Sequence, residues 1–189
     1  MQKYELVLML KSQVQESERS ELLSKLEKDF KDNILLKDDM WMKQTCYDVS
    51  GKKWNNTIYY VSYYLNLDND RLQELRKSLL YTNVVVRYDV LRMSQEQQMF
   101  EFDKLNEELE KIMWWRDDKR FWNRVTFLSL PENDKYINWK AISMLKKYVT
   151  RFWNIKPRKY TKNCVKTQKK VRQEIIRARN FGLLWFKND

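Results

Sequence analysis

The chain has 189 residues, 37 Lys and Arg against 26 Asp and Glu, no histidine and a formal net charge of +11. Without histidine it lacks the commonest general base, and two glycines are too few for a phosphate-cradling loop or a dinucleotide fingerprint, so neither an enzyme nor a bound cofactor or small-molecule substrate is expected. No run of about eighteen apolar residues excludes a transmembrane helix, and 43% hydrophobic content suffices for one or two packed domains.

MQKYELVLML passes from the first methionine straight into a strand-like pattern, which reads as no targeting leader. The first strand is expected over Tyr4–Lys11. Leu22, Leu23, Leu26 and Phe30 recur at helical spacing within Ser17–Phe30, with acids early, as the helix dipole prefers. Ile34–Tyr47 and Thr57–Leu67 read as strands joined by the hairpin connection Asp48-Val-Ser-Gly51-Lys-Lys. Asp68-Asn-Asp70 caps a second helix carrying Leu72, Leu75, Leu79 and Leu80, and Val84–Met93 closes a fourth strand. The order βαββαβ over residues 1–93 predicts an α+β, ferredoxin-like domain, with two helices on one face of a four-stranded antiparallel sheet.

Such a sheet leaves one face open. On the third strand Tyr59, Val61, Tyr63, Leu65 and Leu67 form the core set, which leaves Ile58, Tyr60, Ser62 and Tyr64 on the open face. Those aromatics could stack RNA bases, as in an RNA-recognition motif, or dock a protein or the rest of the chain. Residues 1–93 have a net charge of only +1, and RNA binding depends on phosphate neutralisation, so docking is the favoured role of Ile58, Tyr60 and Tyr64. An RNA-binding regulator using Tyr60 and Tyr64 is the alternative. Tyr4-Glu5-x-Val7, Trp41 with Thr45-Cys46-Tyr47-Asp48-Val49, Tyr59-Tyr60-Val61 and VVVRYDVLRM occur in an order that resembles small-subunit ribosomal protein six, with Asp48 where that family has proline.

Residues 94–136 read as a connecting helix and linker, net −3. Met99, Phe102, Leu105, Leu109, Ile112 and Met113 make an apolar helical stripe with Glu101, Glu107, Glu108 and Glu110 outside it. Trp114-Trp115 and Phe121-Trp122 follow as anchors into the first domain or a neighbour, and Pro131-Glu-Asn-Asp134 marks a boundary. Cys46 and Cys164 are far apart and, with no histidine, build no usual zinc site, so no metal is expected.

The charge is concentrated at the end. Residues 136–189 hold 15 basic and two acidic side chains, a net of +13, which exceeds the net charge of the whole chain. Trp139, Ile142, Leu145, Val149 and Phe152 predict an amphipathic helix, broken at Asn154-Ile-Lys-Pro157. A second helix follows, with Val171, Ile175 and Ala178 on one face and Gly182 as C-cap. Lys162, Lys166, Lys170, Gln173 and Arg177 fall in a row beside that face, with Lys169 adjoining. Cations so placed repel one another unless an anion neutralises them, which makes 137–189 a basic, all-helical, polyanion-binding module. The candidate RNA contacts are Lys146, Lys147, Arg151, Lys156, Arg158, Lys159, Lys162, Lys166, Lys169, Lys170, Arg172, Arg177 and Arg179. A membrane-surface role for the basic helix is the weaker reading.

Lys140-x-Ile142-x-x-Leu145-Lys146-x-Tyr148-Val149-Thr150, Ile155-x-Pro157-x-Lys159-x-Thr161, Lys166-x-Gln168-Lys169 and Ile175-x-Arg177-Ala178-Arg179-x-x-x-Leu183-Leu184 together resemble small-subunit ribosomal protein eighteen of bacteria and organelles. Two departures stand out: Arg151-Phe-Trp-Asn154 replaces a small, glycine-containing helix end, and Trp185 sits where proline is usual. Lys119-Arg120-Phe121 resembles the start of that family, without the cysteine that often follows it. Proteins six and eighteen are mutual partners on the central domain of small-subunit ribosomal RNA, so the resemblance implies the two joined end to end. It implies a structural constituent of the small ribosomal subunit, contacting that RNA and neighbouring ribosomal proteins. Gly, Pro and Ala, which have GC-rich codons, number two each, a composition that points to an AT-rich gene in an organelle and hence to a mitochondrial ribosome.

Overall fold

A computed structural model of the chain describes residues 2–49, 56–94, 97–114, 128 and 131–186. The chain divides into two units, Met1–Met99 and Phe100–Asp189. The expected connecting helix is therefore counted with the second unit, and the division falls six residues later than the end of the domain expected over 1–93.

In the first unit β1 (Gln2–Lys11), α1 (Glu16–Asp29), β2 (Ile34–Gln44), β3 (Thr57–Leu67), α2 (Asn69–Leu80) and β4 (Val85–Arg92) follow in the expected order. The strands lie β2-β3-β1-β4, every neighbouring pair antiparallel, which is the ferredoxin-like arrangement. β2 ends at Gln44, three residues short of the reading above, and the connection after Val49 lies outside the described residues until Asn56. Asp68 occupies the N-cap of α2, yet no side-chain cap hydrogen bond forms there. Its carbonyl takes the first turn's bond from Leu72 N at 3.0 Å.

Pleating decides the core. Leu6, Leu8 and Leu10 of β1 pair with Tyr63, Val61 and Tyr59 of β3, and this face packs on Leu23, Leu26, Leu72, Leu75 and Leu79 of the two helices. Leu80, one residue past the stripe, points outward and is 64% exposed. The opposite face corrects an expectation. Val7, Met9, Ile58, Tyr60, Ser62 and Tyr64 are all buried, so the face is not open and Tyr60 and Tyr64 form no accessible platform for stacking bases. β1 places Val7 and Met9 beside Ser62 and Tyr60, and leaving so large an apolar patch in water is unfavourable. Every buried position of β1 is thus apolar on both faces except Glu5. Burial also pushes the Tyr60 phenol well above its ordinary value.

In the second unit α3 (Phe102–Trp114) buries Leu105 and Leu109. Its Asn106 Nδ2 donates to Lys140 O at 3.0 Å, and Lys140 Nζ donates to Phe100 O at 2.9 Å. These bonds tie the helix start to the turn at 138–140. Trp114 ends the helix, while Trp115, Lys119-Arg120-Phe121 and Trp122 lie outside the described residues. A 3-10 turn at Pro131–Tyr136 leads into α4 (Ile142–Lys147), α5 (Arg158–Thr161) and α6 (Val165–Asn180). α4 is six residues long, where the apolar spacing predicts a helix through Phe152. The chain instead turns at Tyr148 and folds back, with Val149 bridged antiparallel to Ile155.

α6 is bounded at both ends by local chemistry. Cys164 Sγ accepts from Thr167 N at the N-cap. At the other end Gly182, at φ 74°, donates to Arg179 O while Leu183 N donates to Ala178 O, a Schellman ending that needs the left-handed backbone glycine supplies. Between them Val171, Ile175 and Ala178 are fully buried, and Trp139 meets Phe181 edge-on with centroids 4.6 Å apart.

Leu75→Ala is expected to destabilise the first unit by about 2–5 kcal/mol in urea unfolding, the cost of a buried leucine plus its cavity. Leu80→Ala, one step round the same helix, should stay within roughly 0.5 kcal/mol of the parent. Equal effects would mean that the stripe has been assigned to the wrong face.

Candidate nucleic-acid interface

The cations of the second unit are held by three local structures. The first is the return at 148–156. Tyr148 O accepts from Lys156 N at 2.9 Å, and Lys156 Nζ donates to Lys147 O at 2.7 Å, so Lys147 and Lys156 meet at its base. Arg151 stands at its tip, its guanidinium 4.8 Å from the Phe152 ring centre.

The second is α5, which begins directly after Pro157, whose fixed φ suits a helix start. It ends after one turn at Lys162, which is left-handed at φ 55°. A single glutamine fastens this segment to α6. Gln168 Nε2 donates to Lys156 O at 2.8 Å, and its Oε1 accepts from Thr161 Oγ1 at 2.9 Å and Asn163 Nδ2 at 3.3 Å. Arg158, Lys159 and Lys162 are thereby presented on a fixed backbone. In the sequence Gln168 stands only as part of a motif; its bracket role depends on groups five to twelve residues away, which no periodicity displays.

The third is α6 itself. Its buried stripe leaves Lys166, Lys169, Lys170 and Arg172 exposed. Lys162 belongs to the end of α5, so the row expected on one helix is shared between two elements. Lys170 Nζ lies 3.5 Å from Asp134 Oδ2, and this half-exposed pair is worth little in water. Asp134 also accepts from Thr167 Oγ1 at 3.0 Å, clasping the 3-10 turn to the helix.

Of the thirteen candidates ten are exposed: Lys146, Lys147, Arg151, Arg158, Lys159, Lys162, Lys166, Lys169, Lys170 and Arg172. Lys156 and Arg177 are half-buried, and Arg177 pairs with Glu174 at 2.5 Å. Arg179 is the correction. It is 8% exposed and its Nη2 donates to Trp153 O, so it points into the fold and offers no accessible charge to RNA. Desolvation holds its guanidinium below its ordinary pKa. The position after Ala178 faces the hairpin because that is where α6 passes beneath it, a relation invisible in linear spacing. Lys140 is likewise internal, fully buried beside Trp139 at 5.5 Å.

Over 137–186 the one acid is Glu174, itself buried against Arg177, so every exposed charge of this stretch is positive. Phe152 and Tyr160 add exposed aromatic area among those cations. Such a surface attracts phosphates and gives binding that weakens with salt. Among the described residues no cluster could hold a metal ion, and no helix is long and apolar enough to cross a membrane.

The stretch that carries these cations has known relatives. The model of the family "Ribosomal protein S18" matches residues 133–184, which takes in most of the 3-10 turn, α4, the hairpin, α5 and α6. Small ribosomal subunit protein bS18 of Clostridium kluyveri is 40% identical over 58 residues, 31% of this chain and 69% of that protein. That of Syntrophotalea carbinolica is 37% identical over 68 residues, 36% of this chain and 75% of that protein. Among solved structures, 30S ribosomal protein S6 from Thermotoga maritima aligns at a TM-score of 0.44 and 22% identity, over 59% of this chain and 97% of that one.

Two measurements separate the inward cation from the outward ones. Arg179→Ala should lower the unfolding midpoint clearly, since it removes a buried donor from Trp153 O, whereas Arg172→Ala should leave it nearly unchanged. Cys164 supplies a second test. Hydrogen bonding with Thr167 holds its exposed thiol below the usual thiol range. A lowered pKa means more thiolate at a given pH, so alkylation by iodoacetamide should reach half its maximum rate below the pH of a free thiol. Thr167→Val should move that midpoint upward, and an unmoved midpoint would remove Thr167 as the cause.

Proposed function

Because the chain belongs, through residues 133–184, to the ribosomal protein S18 family, a family of structural rather than catalytic proteins, we propose that it builds the small ribosomal subunit by binding ribosomal RNA through its cationic surface. The observation that carries this reading is the exposure of ten cations on the hairpin, α5 and α6, with the one acid of 137–186 buried. Phosphate neutralisation releases condensed counterions and relieves the mutual repulsion of a surface this one-sided. Unlike a side-chain row on a lone helix, these cations sit on three elements that brackets such as Gln168 hold at fixed spacing.

The first unit would act as the scaffold. Its βαββαβ order and the motifs at Tyr4–Val7, Trp41–Val49 and Val84–Met93 resemble ribosomal protein six, the partner of protein eighteen. Joining the two in one chain delivers both to the same place in the particle, at an effective concentration on the order of mM. The central domain of the small-subunit RNA and adjacent ribosomal proteins are the partners this pairing implies. A mitochondrial ribosome is supported by composition: two each of Gly, Pro and Ala, against abundant Lys, Asn, Tyr, Phe and Ile, fits an AT-rich organellar gene.

Joint replacement of Lys166, Lys169, Lys170 and Arg172 by Gln tests the RNA reading. Circular dichroism should not change, because all four side chains are exposed. The log–log salt dependence of binding to small-subunit RNA should flatten by about 0.7–0.9 for each phosphate that is no longer neutralised. An unchanged slope would mean that α6 does not face RNA. In gradients of mitochondrial lysate the native protein should travel with small ribosomal subunits, and recovery only in free or membrane fractions would overturn the ribosomal reading.

A further inference from the structure

The tip of the 148–156 hairpin is held by a set of hydrogen bonds across it. Trp153 N donates to Thr150 O at 2.9 Å and Thr150 N donates across to Asn154 O at 2.8 Å. Asn154 N donates to Thr150 Oγ1 at 3.1 Å, and the Val149–Ile155 bridge lies directly beneath. Trp153 stands at φ 62°, a left-handed backbone that favours glycine and that a bulky residue holds only when its surroundings impose it. The bonds across the turn close around it, and Arg179 reaches from α6 to the Trp153 carbonyl.

Between these fixed ends stand Arg151 and Phe152, both exposed. Phe152 is 61% exposed, and the Arg151 guanidinium lies 4.8 Å from its ring centre. Holding an unpaired nucleotide takes two things: a flat apolar face for the base and positive charge for its phosphate. The tip supplies the first with Phe152 and the second with Arg151, and Lys147 and Lys156 meet at the base of the same hairpin. A free phenyl ring on a floppy loop would lose conformational entropy on stacking; this loop has already lost it. Charge also selects the occupant. No acid occurs from 137 to 173, so the surroundings favour RNA over an acid-seeking or neutral protein surface.

Resting on the RNA-binding reading above, we propose that Phe152, with Arg151, is a stacking site for one unpaired nucleotide of the bound RNA, a bulged or loop base. A continuous duplex, whose bases are already stacked on each other, offers no such face.

The test uses the full chain and two fluorescein-labelled RNA duplexes, one continuous and one carrying a single bulged adenosine, read by anisotropy. The parent protein should prefer the bulged duplex. Phe152→Ala should weaken binding to the bulged duplex by about 5- to 100-fold and leave the continuous duplex and the salt slope as they were. Phe152→Trp should keep the preference, which a mere loss of folding could not mimic. Arg151→Gln, which leaves the ring in place, should weaken binding to the bulged duplex and lower its salt slope. Equal loss on both duplexes, no loss on the bulged one, or no preference in the parent would overturn the stacking site while RNA binding stands. Binding of neither RNA by the parent would overturn the RNA reading itself. Should Phe152→Ala lose its association with ribosomal subunits yet keep its bulge preference, the ring serves a protein contact and the proposal fails.

Discussion

The second unit depends on a narrow apolar stripe: Val171, Ile175 and Ala178 of α6, closed over by Trp139 and Phe181. A segment with net charge near +13 gains nothing from its own electrostatics, so burial along this stripe must outweigh the repulsion of the side chains around it. Two consequences follow. The cations are driven to every position the stripe does not use, and the polar groups that remain inside have to be satisfied by specific bonds. Glu174 is held against Arg177, Lys140 by Phe100 O, and Gln168 by three partners at once.

Those interior polar groups convert a helix into a presented surface. A lone cationic helix in water has mobile side chains on a backbone that frays, and it recognises phosphate without geometry. Here α5 and the hairpin are fastened to α6 through Gln168 and Arg179, so the cations of three elements keep a fixed relation. Rigid placement reduces the ordering cost of binding, which is why internal hydrogen bonds far from any phosphate matter to affinity. The unusual backbone at Trp153 belongs to the same logic: an arginine that could have faced solvent is used to fix a loop.

The first unit solves a different problem. β1 is central and apolar on both faces, and β3 alternates tyrosines between them. The period of two correctly separates Tyr59, Val61, Tyr63, Leu65 and Leu67 from Ile58, Tyr60, Ser62 and Tyr64, and the core against the helices follows from it. Periodicity distinguishes two faces but does not state whether the second is wet. That is settled in the folded chain, where strand pairing sets Val7 and Met9 beside Ser62 and Tyr60 and all four are buried.

Sequence by itself determined what depends on neighbours within a few residues. The βαββαβ order, the bounds of β3, the stripe of α6, its glycine ending and the location of the charge all come from local spacing and composition, because helix and strand periods are written in consecutive side chains. Tertiary structure decided what depends on who arrives from far along the chain. The helix expected through Phe152 stops at Lys147 because a bridge to Ile155 and a bond from Arg179 outweigh the helical pattern there. Arg179 and Lys140 look in sequence like Arg172 and Lys146, yet they are buried, since a cation faces inward only where a distant carbonyl, Trp153 O or Phe100 O, waits to receive it. Charge can be counted along a chain; the direction it faces is set by packing.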